Sequence, residues 1–99
     1  MKIVLCLFLF FVVACQSIEK PVKPMVFASA AMKAADKARA ERLAPDLYRK
    51  AEVKYWSAKT HYLQKDFTEA EKDAAEAKRL FEKAEISASL KALEDKDDE

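Results

Sequence analysis

Apolar residues recur along most of this chain at alternating spacings of three and four, the repeat of one face of an α-helix. The longest series predicts a helix over about residues 66–93; its members are Phe67, Ala70, Ala74, Ala77, Phe81, Ala84 and Ala88. Asp66 before the series and Glu69 three residues later resemble a capping box. Because this face is mostly alanine, a neighbouring helix can approach it closely.

A helix over about residues 45–65 carries two apolar stripes on nearly opposite sides. One stripe is Tyr48, Ala51, Tyr55, Ala58 and Tyr62, and the other is Val53, Trp56, Thr60 and Leu63. A helix with two apolar sides is typical of the middle position in a bundle. We therefore expect the tyrosine stripe to pack on the third helix, the Trp56 stripe to pack on the first, and both to belong to the core.

The remaining helix spans about residues 25–43 and ends before Pro45, which suits the first position of the next helix. Its apolar face is Phe27, Ala31, Ala34 and Ala38. The chain has 18 alanines, no glycine and no asparagine, a composition that favours helices and disfavours tight hairpins. The predicted fold is all-α, a short antiparallel three-helix bundle over residues 26–94, followed by a charged, frayed tail over 95–99.

Two features of the third helix lead to specific expectations. Antiparallel pairing through the turn at 64–66 places Phe81 near Ala51 and Tyr48, so Phe81 should anchor the contact between the second and third helices. Ile86, Leu90 and Leu93 lie on the other side of the same helix. This second set is either a patch for a partner or for self-association, or a surface covered by the end of the first helix.

The first residues have the pattern of an export signal. Lys2 precedes Ile3–Val13, an uncharged apolar run that is too short to span a bilayer core of about 30 Å. The run ends in Val12-Val13-Ala14-Cys15, which resembles the bacterial lipobox. The resemblance implies cleavage of residues 1–14, a diacylglycerol on the Cys15 thiol and a fatty acyl chain such as palmitate on the new amine. A plain secretory signal with an incidental cysteine and an uncleaved signal anchor are the alternatives.

Residues 15–25 are predicted to be a lipidated tether, because Pro21 and Pro24 favour extended chain. Gln16, in place of an aspartate directly after the cysteine, implies by the lipoprotein sorting rule a location in the outer membrane, facing the periplasm. The inner membrane is the alternative, because the rule varies between lineages.

Two family resemblances cover the predicted helices. Lys65–Ala70, with Ala74 and Ala77, resembles the middle of a tetratricopeptide repeat, although Lys54 and Ser57 stand where that repeat has bulky apolar residues. The lipobox, the alanine-rich helices and the turn Ala44-Pro45-Asp46-Leu47-Tyr48 are similar to a group of small proteobacterial helical lipoproteins without an established activity. That resemblance implies an envelope location and a protein partner, such as an OmpA-like protein.

The sequence offers little catalytic or metal chemistry. His61 is the only histidine, and no second histidine or free cysteine could complete a zinc site with it. Ser57, four residues earlier, is the best-placed candidate nucleophile for an enzyme alternative, yet no third group is apparent. The carboxylates of the third helix interleave with lysines and arginine as a solvated face, and we expect no cofactor. The net charge of +1 gives no indication of nucleic-acid binding.

These observations predict a non-enzymatic, lipid-anchored envelope protein with a helical interaction module and no small-molecule substrate. Its partners would be the membrane, through acylated Cys15, and another envelope protein or a second copy. One alternative is an oligomeric structural lipoprotein of the murein type, built on an alanine zipper. Another is a module that contacts peptidoglycan through Trp56 and the three tyrosines.

Overall fold

The computed structural model describes residues 20–97, and this part of the chain is helical without a strand. It contains α1 (Val22–Lys37), α2 (Ala40–Leu43), α3 (Pro45–Leu63) and α4 (Phe67–Asp97). The predicted all-α class is confirmed. The predicted signal peptide and residues 15–19 of the predicted tether, including Cys15, lie outside the described residues.

The long helices run up, down and up. Aromatic pairs join α3 to α4 in antiparallel order: the Tyr62 ring centroid lies 5.6 Å from that of Phe67, and the Tyr48 centroid 5.5 Å from that of Phe81. Helix α1 is antiparallel to α3, since Asp36 near its end contacts Tyr48 near the start of α3. The predicted position of Phe81 beside Tyr48 is confirmed, and Phe81 is the largest fully buried side chain.

The middle helix of the bundle is α4, which corrects the expectation that the second predicted helix would lie in the middle. Helix α4 packs extensively against both α1 and α3, whereas α1 and α3 meet at few positions. The Trp56 stripe is consequently not covered by α1. The physical reason is size: alanines on α1 and α4 permit a close approach, whereas Trp56 would hold two helices apart.

The face that α1 buries also differs from the predicted one. Ala28, Ala31 and Ala35 are buried, whereas Phe27 is 54% exposed. The Phe27 ring instead lies at the side of α4, with its centroid 6.0 Å from Lys78 Nζ. The small side chains thus form the contact, and the large ring stays outside it.

The N-terminal helix begins earlier than expected and is interrupted. Val22 to Met25, predicted as tether, form the first turn of α1, where Pro24 is tolerated because first-turn N–H groups have no partner within the helix. The single helix predicted over 25–43 is divided at Arg39, which has a left-handed backbone with φ 58°. The short helix α2 then buries Ala40.

The turn between α3 and α4 is a Schellman motif. The Asp66 N–H donates to the His61 carbonyl at 2.8 Å, and the Lys65 N–H donates to the Tyr62 carbonyl at 3.1 Å. Lys65 has φ 63°, the left-handed conformation that glycine usually supplies. At its other end α4 continues through Asp97, so the predicted frayed tail is helical over residues 95–97.

Candidate functional site

An apolar patch lies along the last turns of α4, on the side facing away from the bundle. Its members Ile86, Leu90 and Leu93 are 61%, 57% and 59% exposed. The end of α1 and helix α2 do not cover them, because that segment lines a groove with Ser89 and Ala92 at the side of α4. Of the two expectations for these residues, the described structure therefore favours a surface that another molecule could cover.

The aromatic side chains of α3 divide into two groups. Tyr48 and Tyr55 are buried against Phe81, as expected for core residues. Trp56 is 58% exposed, so its expected place in the core is wrong. The Lys59 ammonium lies 4.6 Å from the Trp56 ring centroid and 4.7 Å from that of Tyr55, close enough for cation–π attraction.

Ser57 and His61 are brought together with a third residue, Asp73. The Ser57 hydroxyl donates to Asp73 Oδ2 at 2.6 Å, and His61 Nε2 lies 3.6 Å from the same oxygen. His61 Nδ1 lies 3.6 Å from Asp66 Oδ2 and makes no hydrogen bond in the described structure. The carboxylate thus stands between the hydroxyl and the imidazole, whereas nucleophilic catalysis requires the imidazole to accept the hydroxyl proton.

Asp73 is the residue of this cluster whose position differs from the one that the sequence predicts. It was expected on the solvated face of the third helix, yet it is 8% exposed. A usable signal existed, because Asp73 is seven residues before the buried Leu80 and therefore lies at the same heptad position. Burial of a carboxylate is tolerated when a donor such as Ser57 satisfies it.

Tyr48 forms a second buried polar contact. Its hydroxyl donates to Asp36 Oδ1 at 2.5 Å and links the end of α1 to the start of α3. Burial, together with the hydrogen bond to the Asp36 carboxylate and its negative charge, raises the pKa of Tyr48 far above its ordinary value. This tyrosine is therefore neutral throughout the physiological range of pH.

A third polar contact lies on the surface of α4. Arg79 donates two hydrogen bonds to the Glu76 carboxylate, which hold the pKa of Glu76 below its ordinary value. Both side chains are at the surface, where such pairs contribute little to stability.

The described residues hold neither a cluster of three or more potential metal ligands nor a helix long and apolar enough to cross a membrane. Cys15, the predicted lipidation site, lies outside them. Comparison of the chain with protein-family models, with curated proteins and with solved structures returned no match. The resemblances to helical lipoproteins and to tetratricopeptide repeats therefore remain predictions.

Proposed function

We propose that this protein is a non-enzymatic lipoprotein of the outer membrane that presents a helical interaction module to the periplasm. The observation that carries the proposal is Val12-Val13-Ala14-Cys15, placed directly after the uncharged run Ile3–Val13. Several acyl chains on Cys15 would anchor the chain durably, since each buried CH₂ contributes about 0.8 kcal/mol.

The helical domain supplies a surface suited to a protein partner. Ile86, Leu90 and Leu93 follow one side of α4 at spacings of four and three, so a partner helix could pack along all three. We propose that this patch binds another envelope protein, such as an OmpA-like protein, or a second copy of the chain. The acidic and basic residues around it would form the polar rim of such an interface.

The arrangement around Ser57 supports a non-enzymatic role. Its hydroxyl is hydrogen-bonded to the buried Asp73 rather than to His61. The contact joins α3 to α4 and gives the buried carboxylate a hydrogen bond, which His61 Nε2 at 3.6 Å does not supply. The group is therefore better explained as packing than as a nucleophile with its base.

Two structural alternatives receive less support. An alanine zipper needs its alanine seam free for other copies, but Ala74, Ala77 and Ala84 of α4 are fully buried within the described chain. A peptidoglycan contact through stacked aromatics would rely on Trp56 and the half-buried Tyr62, because Tyr48 and Tyr55 are buried.

The anchor is tested by blocking lipoprotein maturation. Globomycin, which inhibits the lipoprotein signal peptidase, should cause the precursor to accumulate, and labelled palmitate should be incorporated into the mature protein. Cys15→Ser should abolish the label and leave the precursor uncleaved, because cleavage before residue 15 depends on the lipobox cysteine. Cys6→Ser is the matched control, since this cysteine lies within the predicted signal and should leave labelling unchanged. Labelling or normal cleavage of Cys15→Ser would refute the anchor.

The partner surface is tested by cross-linking in intact envelopes. Leu90→Ser should reduce the yield of the specific cross-linked species, whereas Val26→Ser on α1 should leave that yield unchanged. The two residues are a matched pair, because each is 57% exposed and apolar. Equal yields from both variants and the wild type would show that the α4 patch is not the binding surface.

A further inference from the structure

A second exposed apolar surface lies on the outer side of α3. We name it the Trp56 face, formed by Val53, Trp56, Thr60 and Leu63, of which the three large apolar residues are 62%, 58% and 80% exposed. Thr60 adds little polarity, because its hydroxyl donates to the Trp56 carbonyl at 3.0 Å. The result is a continuous apolar stripe on a helix of 19 residues.

Charged side chains border the Trp56 face, with basic ones in excess: Asp46, Arg49 and Lys50 line one groove with Val53, and Glu52 lies one turn before Trp56. Helix α3 has four lysines and arginines against two acidic residues; the basic ones are Arg49, Lys50, Lys54 and Lys59. Three of them are exposed, and Lys59 is half-buried with its ammonium over the Trp56 ring. A helix with tryptophan and aliphatic residues on one side, flanked by lysines, has the composition of helices that lie in a membrane interface.

Charge is unequally distributed among the helices. Helix α1 has three basic residues and one acidic residue, whereas α4 has nine acidic residues and six basic ones. An anionic surface therefore attracts the α1 and α3 side of the bundle and repels α4. A second copy docked by the same face would bring the lysines of α3 against their own counterparts, an unfavourable contact in a two-fold dimer.

The start of α1 lies beside the end of α3. Val22, Met25 and Val26 line a groove together with Tyr55 and Tyr62. Only six residues separate Cys15 from Val22, so the linking chain can reach at most about 25 Å. A lipid on Cys15 would therefore keep the Leu63 end of α3 close to the bilayer surface.

From these observations we infer that the Trp56 face lies on the anionic phospholipid surface of the membrane. The orientation rests on the proposed lipid anchor, whereas the affinity of the face for anionic lipid does not. Trp56 and Leu63 would enter the boundary between headgroups and acyl chains, and the flanking lysines would contact lipid phosphates. Helix α4, with its patch, would then face away from the bilayer toward a protein partner.

Trp56 is the only tryptophan of the chain, so its fluorescence reports directly on this face. The lipidated protein, purified from membranes, is reconstituted into vesicles of phosphatidylcholine with or without phosphatidylglycerol. With phosphatidylglycerol, Trp56 emission should shift to shorter wavelength and be quenched by lipids brominated in their acyl chains. Emission and quenching that are the same in both vesicle types and match those of the protein without vesicles would overturn the inference.

An unlipidated form that begins at Gln16, without the predicted signal peptide, separates this inference from the proposed anchor. It should still bind phosphatidylglycerol vesicles in a sedimentation assay, and each of Arg49→Gln, Lys50→Gln and Lys59→Gln should weaken the partition about fivefold. Lys72→Gln and Lys83→Gln on α4 are the controls and should have little effect on the partition.

Equal effects from the α3 and α4 substitutions, or no binding to the vesicles, would refute the membrane face even if Cys15 is lipidated. Shielding of Trp56 from an aqueous quencher by an added protein but not by vesicles would refute it in favour of a protein interface.

Discussion

Phe81 is the residue on which the helical core depends most. Its ring is fully buried and lies edge-on to both Tyr48 and Tyr55, with centroids 5.5 Å and 6.4 Å away. The other fully buried side chains around it are alanines, which cannot expand to fill the space that a missing ring would leave.

Phe81→Ala should therefore unfold the domain or nearly so. Removal of a buried phenylalanine costs about 3–5 kcal/mol, and a small domain holds little more than that in total. The measurement is thermal melting followed by circular dichroism. Leu93→Ala is the control, because Leu93 is 59% exposed and should melt like the wild type. A stable Phe81→Ala together with an unfolded Leu93→Ala would mean that the buried side of α4 is wrongly assigned.

Tyr48 should make the stability of the domain fall at alkaline pH. The pKa of Tyr48 is raised in the folded state. Its contribution to the free energy of unfolding is therefore complete below about pH 10, where the tyrosine of the unfolded chain is also neutral. Above pH 10 the Tyr48 hydroxyl loses its proton in the unfolded state but keeps it in the folded state. The free energy of unfolding therefore decreases by up to about 1.4 kcal/mol per pH unit. Urea unfolding of the wild type and of Tyr48→Phe between pH 8 and pH 11.5 measures the difference.

The phenylalanine variant should be less stable than the wild type near pH 8, because it lacks the hydrogen bond to Asp36. The difference between the two proteins should shrink above pH 10. Tyr62→Phe is the control. This variant should still lose stability at alkaline pH, because it retains Tyr48. A constant difference between the wild type and Tyr48→Phe across this range would contradict the assignment.

At the scale of the element, the turn between α3 and α4 has the hydrogen bonds of a glycine-ended helix without the glycine. Lys65 occupies the left-handed position, which costs a residue with a Cβ roughly 1–2 kcal/mol. The chain has no glycine at any position, so both of its described left-handed residues, Arg39 and Lys65, incur this cost.

Lys65→Gly should therefore stabilise the domain. A gain of about 1 kcal/mol corresponds to a rise in melting temperature of roughly 4–8 °C for a domain of this size. Lys65→Ala keeps the Cβ and should change the melting temperature little. If the glycine variant melts at or below the temperature of the alanine variant, the left-handed turn is not a source of strain.

At the scale of the whole molecule, the two sides of α4 distinguish a bundle from an alanine zipper. The alanine side is covered by α1 and α3 of the same chain, so it is not free to assemble several copies. Of the two apolar sides of α4, only the one with Ile86, Leu90 and Leu93 is exposed within the described chain. Residues 16–99, without the predicted signal peptide, should accordingly sediment as a compact species, and any self-association should be lost in Leu90→Ser. An elongated trimer unaffected by this substitution would show that the zipper arrangement is the correct one.

The sequence by itself determined the helical class, the breaks near Pro45 and at residues 64–66, and the partner of Phe81. These features are local or follow from one hairpin: the spacing of apolar residues defines each helix, and a short turn leaves antiparallel pairing as the only compact choice. The lipobox is also a purely local pattern, and the lipid anchor that it implies remains a prediction.

Only the tertiary structure decided which helix lies in the middle. The tyrosine stripe and the Trp56 stripe of α3 are both apolar, and periodicity alone does not say which one is covered. The choice follows from the distance at which helices can approach, because the alanines of α1 fit closely on those of α4, whereas Trp56 would keep a helix away. The same central position of α4 buries Asp73 beside Ser57. The spacing of Asp73 within α4 indicates its burial, but no pattern within either helix reveals that Ser57 is its partner.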